Sequence, residues 1–246
     1  MDKIHYLSFY GARHRLFEYP IKTAIRICER GIVKKRVEIA SVWVQVIGTI
    51  LAAIGNSAWK ILSEDEVKNF DLVGNVLQAF GNAVQADQQE TVTFEKIGTQ
   101  IQAIGNTVVA SSYILFEDEL ESKLIIKGNW LQAFGALVEA VDEVLDNSGP
   151  EQTLNILGNT TQAVGNSFQA IGGKHILFNN KDKGLFLVIS GSWIQAVGTI
   201  LNAIGQTDEE LAENNHVNQN KSVEDASSFY EQENLKRAWG ARNKYY

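Results

Sequence analysis

Along this chain, bulky apolar residues and small residues alternate in a pattern that sorts them onto opposite sides of a helix. The clearest stretch is Gly128-Asn129-Trp130-Leu131-Gln132-Ala133-Phe134, followed at once by Gly135. With glycine at the origin and about 100° per residue, glutamine falls near 40°, asparagine near 100° and alanine near 140°. Tryptophan, phenylalanine and leucine fall together between about 200° and 300° on the same wheel. One face is therefore large and apolar, and the other is small and amide-bearing. Close copies are Gly74-Asn75-Val76-Leu77-Gln78-Ala79-Phe80-Gly81 and Gly191-Ser192-Trp193-Ile194-Gln195-Ala196-Val197-Gly198.

Period two is absent, and Ala, Leu and Gln favour helix. The competing reading makes each Gly-Asn a hairpin turn with a five-residue strand between. Such strands would be very short and rich in residues that pair poorly in sheets. The pattern predicts helices.

Six units follow, with phase-setting positions at Ser41, Gly74, Gly98, Gly128, Gly158 and Gly191. Each carries a glutamine four places on: Gln45, Gln78, Gln102, Gln132, Gln162 and Gln195. The expected fold is all-α, an array or bundle of Gly/Ala-rich amphipathic helices built from six repeat units. Charged connections separate them, such as Glu64-Asp65-Glu66 and Glu117-Asp118-Glu119. The chain divides into a basic N-terminal segment (1–40), the repeat region (41–206) and a polar, partly disordered tail (207–246), with order weakest over 208–228.

Glycine inside a helix costs about 1 kcal/mol relative to alanine, so a dozen of them must be offset. Close approach of helix backbones is the expected compensation. The residues expected at such contacts are Gly48, Gly55, Gly74, Gly81, Gly98, Gly105, Gly128, Gly135, Gly158, Gly165, Gly198 and Gly205. The six glutamines form an amide stripe beside them.

No charge occurs between Glu38 and Lys60, between Glu151 and Lys174, or between Lys183 and Asp208. Those runs could cross a hydrocarbon core of about 30 Å. The units at Gly74 and Gly128 have shorter uncharged runs and fit a spanning role badly. Three settings compete for the faces: a soluble bundle with amide ladders, a membrane bundle with its bulky face in lipid, and self-assembly through repeated interfaces. Trp43, Trp130 and Trp193 occupy one place in the phrase, and core packing is their expected role.

The formal net charge is -7, unevenly spread. Nine Lys/Arg against three acids in residues 1–36 make a head of +6 on a body of -13. Arg26, Arg30, Lys34, Lys35 and Arg36 could meet an anionic membrane surface and would place the N-terminus on the cytoplasmic side. Basic residues are scattered elsewhere and do not interleave with aromatics, which argues against nucleic acid. The single Cys28 allows no intrachain disulfide. The N-terminus lacks the apolar run of a classical secretory signal, so an intracellular setting, membrane-associated or cytoplasmic, is expected.

The phrase Ser192-Trp193-Ile194-Gln195-Ala196-Val197-Gly198-Thr199-Ile200-Leu201-Asn202-Ala203-Ile204-Gly205 resembles uncharacterised Gly-rich repetitive proteins of spore-forming Gram-positive bacteria, a domain of unknown function. The resemblance covers about residues 41–206. It implies a bacterial cytoplasmic or cell-envelope origin and brings no catalytic residues with it. His5, His14, His175 and His216 lie far apart, and no phosphate loop, nucleophile elbow or dinucleotide fingerprint occurs. The expectation is a non-catalytic protein needing no cofactor, metal or small-molecule substrate, whose partners are an anionic membrane or further copies of itself.

Overall fold

The structure is a computed structural model that describes residues 33–58, 60–145 and 152–242. Six helices and no strand occur among them: α1 (Val33–Ser57), α2 (Glu64–Gln88), α3 (Phe94–Leu115), α4 (Asp118–Leu145), α5 (Gln152–Leu177) and α6 (Lys181–Arg242). Each helix holds one repeat unit. Of the basic head, Arg26 and Arg30 fall outside the described residues. Lys34, Lys35 and Arg36 begin α1, where Lys34 pairs with Glu90 at 3.1 Å.

Local chemistry sets the helix starts. Ser63 caps α2 in a capping box: its hydroxyl accepts from the Glu66 N–H, and Glu66 accepts from the Ser63 N–H at 2.8 Å. The Ser63 hydroxyl also donates to Glu66 Oε2 at 2.7 Å, and that bond, with the one from the Ser63 N–H, holds the exposed Glu66 carboxyl below its ordinary pKa. Thr93 caps α3 through the Lys96 N–H. Asn179, with φ 61°, turns the chain between α5 and α6; a short polar side chain tolerates that left-handed conformation.

The helices pair as three antiparallel hairpins, α1–α2, α3–α4 and α5–α6, and glycine makes each crossing. Gly48 faces Gly74, Gly105 faces Gly128 and Gly165 faces Gly191 at one level. At the next level Gly81 meets Ser41, Gly98 meets Gly135 and Gly158 meets Gly198. A Cβ built on Gly48 would stand 2.6 Å from the Gly74 carbonyl oxygen, and one on Gly128 2.7 Å from that of Gly105. These are backbone-to-backbone contacts that any side chain would prise apart.

Neighbouring hairpins pack α2 on α3 and α4 on α5. The ring closes where α1 meets α6: Val42, Val46 and Ala203 form a small buried apolar cluster flanked by Ile50 and Ile200. Trp43 Nε1 donates to Thr207 Oγ1, and Trp193 Nε1 to Ser57 Oγ, across the same seam.

One expectation is corrected here. Trp43, Trp130 and Trp193 are not core residues; they are 39%, 47% and 43% exposed on the outer surface. Residues 208–228 continue as helix within α6.

Candidate functional site, an amide-lined axis

The polarity of an ordinary soluble bundle is reversed. Among the described residues, eighteen Asn and Gln side chains are buried, whereas the buried apolar residues are alanines plus Val42, Val46 and Val109. Most of the bulky apolar side chains point away from the axis, among them Ile47, Phe80, Phe134 and Val197. Helix faces explain this. Glycine and alanine permit close hairpins, and the amides beside them on the wheel are carried inward.

The three even-numbered helices meet at the centre through equivalent glutamines. Gln195 Nε2 donates to Gln78 Oε1 at 2.8 Å and to Gln132 Oε1 at 3.3 Å. Gln169 Nε2 donates to Gln195 Oε1 at 2.8 Å, and Gln132 Nε2 reaches Asn75 Oδ1 at 3.4 Å. Of the odd-numbered stripe, Gln45 donates to Gln85 Oε1 at 3.0 Å and Gln102 to Glu139 Oε1 at 2.8 Å. Gln162 bonds within its own helix, to Asn159 Oδ1. The stripe is thus divided: five glutamines bridge helices, and one does not.

All twelve glycines expected at contacts lie where a Cβ would meet a facing residue. For ten the facing backbone is within reach. Gly55 instead abuts Phe70, with the Val67 carbonyl oxygen behind it, and Gly205 abuts the Asn155 and Leu154 side chains. Gly172, Gly184 and Gly191 make equivalent contacts. Gly172 and Gly184 face each other across the α5–α6 crossing.

Each end of the axis opens into a hollow. At the end holding the α1 C-terminus, a cavity of about 220 Å³ takes walls from all six helices. Asp71 is its one acidic lining residue. Asn56 Nδ2 donates to Asp71 Oδ1 at 3.2 Å, and the Tyr113 hydroxyl to Asp71 Oδ2 at 3.1 Å. Asn56 Nδ2 also reaches Ser192 Oγ at 2.9 Å, tying α1 to α6. At the opposite end, Glu38, Glu95 and Glu209 line a smaller hollow of about 90 Å³. Sequence spacing gave no sign of either, since their residues come from separate units. No group of His, Cys, Asp or Glu among the described residues is arranged to hold a metal ion.

These features define an all-α, closed bundle of three glycine-packed hairpins around a polar axis. The chain belongs to a family of unknown function (DUF6944), which matches residues 36–203. The matched region includes five of the helices and α6 through its last glycine crossing but one. No curated protein and no solved structure matches it.

Two segments, Val33–Ser57 and Lys181–Glu209, are long and apolar enough to cross a membrane by length and composition.

Proposed function

We propose that the protein is a non-catalytic, membrane-embedded helical bundle, with its Trp/Phe/Ile face in lipid and its amides lining the axis. The observation that carries this reading is the reversed polarity. Leaving a Leu- or Phe-sized side chain in water forgoes about 1.5–3 kcal/mol, and the interior offers almost no apolar burial in return. In lipid that loss disappears, and helices associate through small residues and interhelical amide bonds.

The lengths support it. After Glu38, α1 carries 19 uncharged residues, and α3 carries 19 after Lys96. At 1.5 Å per residue each matches a hydrocarbon core of about 30 Å. The shorter runs of α2 and α4 are lengthened by the fold. Asp71 lines the axial cavity and Glu139 is buried against Gln102, so neither interrupts the outer face. On the outside, α2 is uncharged from Lys68 to Asp87. Lys127 remains on the outer face of α4. Helical side chains lean toward the N-terminus, and the α4 N-terminus is the nearer end of the bundle, so the ammonium can reach the interface.

The indole N–H groups of Trp43 and Trp193 find acceptors on the adjoining helix, which removes the cost of placing them in hydrocarbon. Lys34, Lys35 and Arg36 then stand at one rim of the bundle, suited to anionic headgroups. The bacterial cell envelope is the setting the repeat phrase suggests.

Alkaline carbonate extraction followed by density flotation tests the reading. The chain should stay with the membranes and float. Release into the soluble fraction overturns it and favours the alternative, a soluble repeat scaffold whose apolar belt is covered by further copies or by protein partners.

A further inference from the structure

We infer that the axial cavity beside Asp71 is a binding site for a small organic ammonium ion. The inference goes beyond the membrane reading and does not depend on it, because the cavity is made by the bundle alone.

Three observations carry it. The first is charge: Asp71 is the only ionisable acid or base in the cavity wall apart from the Tyr113 phenol. The nearest lysine on its helix, Lys68, is paired with Glu121 at 3.0 Å. A carboxylate held in a recess with only neutral donors is stabilised by any cation that enters. Each of its oxygens accepts one hydrogen bond, Oδ1 from Asn56 and Oδ2 from Tyr113, and keeps further acceptor capacity.

The second is an idle amide. Asn129 is 93% buried, lines the cavity, and makes no hydrogen bond among the described residues. Its two relatives are engaged: Asn75 bonds Asp71 O and Gln132, and Ser192 bonds Asn56 and Val188 O. Asn129 therefore offers a carbonyl oxygen to a ligand N–H.

The third is shape. Besides the polar groups, which include Asn75, Ser122 and Gln169, the wall has an aliphatic part formed by Val109, Ile125, Ile176, Leu185 and Val188, and the volume is about 220 Å³. A hard metal ion would need oxygen ligands on every side at short range, and the aliphatic part of the wall supplies none. An ammonium head with a short alkyl body matches both halves. The head meets Asp71 and Asn129, and the alkyl body meets the aliphatic wall.

The test is titration calorimetry of the full chain, purified in a non-ionic detergent, with n-butylammonium chloride. One saturable site is expected. Asp71→Asn should weaken binding at least tenfold, and neutral n-butanol should bind at least tenfold more weakly than the ammonium. Equal binding by n-butanol, or unchanged binding to Asp71→Asn, overturns the inference. If Asp71→Asn does not fold, Ile176→Trp keeps the carboxylate and fills the wall, and it should abolish the signal; retained binding overturns the inference. Displacement of n-butylammonium by equimolar potassium or calcium would assign the site to metal ions and overturn the assignment to an organic cation.

Discussion

Gly98 and Gly135 are reciprocal across the α3–α4 crossing: a Cβ built on either would stand 2.6 Å from the other's carbonyl oxygen. The contact is between two backbones, so no rotamer change relieves it. Gly98→Ala gains about 1 kcal/mol of helix propensity but must separate the helices, and overpacking of this kind costs about 1–3 kcal/mol. We expect net destabilisation, up to about 2 kcal/mol, in a thermal or denaturant melt. At Gly173 the added Cβ meets only the Ile126 side chain at 3.0 Å, a flexible neighbour. Gly173→Ala should therefore be neutral or stabilising, and a melt in which both variants behave alike would remove the distinction. The double variant Gly81→Leu plus Gly135→Leu should melt early or aggregate.

The central amides differ in what they hold together. Gln195→Leu removes the bonds that tie α6 to Gln78, Gln132 and Gln169, at about 0.6 kcal/mol per interhelical bond in lipid and more in water. A total loss of about 2 kcal/mol is expected. Gln162→Leu removes a bond that stays within α5 and should cost less than half as much. Equilibrium unfolding of the two variants in parallel checks the order.

Fluorescence can locate the belt. Trp43, Trp130 and Trp193 sit on the outside within the uncharged spans. With Trp59 and Trp239 replaced by Phe, emission should be blue-shifted in lipid vesicles and quenched by phospholipids brominated on the acyl chains. Quenching by aqueous iodide in place of bromolipid would put these indoles in water.

A charge placed on the same belt should be disruptive. Val197 is 51% exposed and lies between two residues that pair α6 with its neighbours. Val197→Lys places an ammonium near the centre of the span, at about 2.5–3.5 kcal/mol on insertion scales. The membrane-bound fraction on flotation should fall several-fold. The same substitution at Asp208, beyond the span, should leave it unchanged.

Much of this arrangement is written in the heptads. The six helices, one for each unit, and the separation of large from small faces follow from residue sizes at a fixed angular step. Which face turns inward does not. Trp43, Trp130 and Trp193 suit a core by hydrophobicity alone, and only the packing of Gly48 on Gly74 or Gly105 on Gly128 forces the amides toward the axis. Two charges looked as though they broke the apolar runs of α2 and α4, because linear sequence cannot tell an inward Asp71 or Glu139 from an outward one. The meeting of Asn56, Asp71 and Tyr113 was also hidden, since they come from three units and share no local spacing. The helical course of residues 208–228 ran against composition; that stretch lacks the proline or glycine that would stop a helix already nucleated in the bundle.

The seam between α1 and α6 has a last consequence. An open solenoid can gain or lose repeats, since each added unit stacks on a free end. Here Val42 and Val46 already lie against Ala203, and Asn56 reaches Ser192, so neither terminus of the array is vacant. A seventh heptad hairpin arm would have no partner, and deleting one would leave a gap where the circle should shut. Duplication and loss, the usual currency of tandem repeats, are thereby arrested at six, and evolution is left to edit the lining and rim of a barrel whose circumference is fixed.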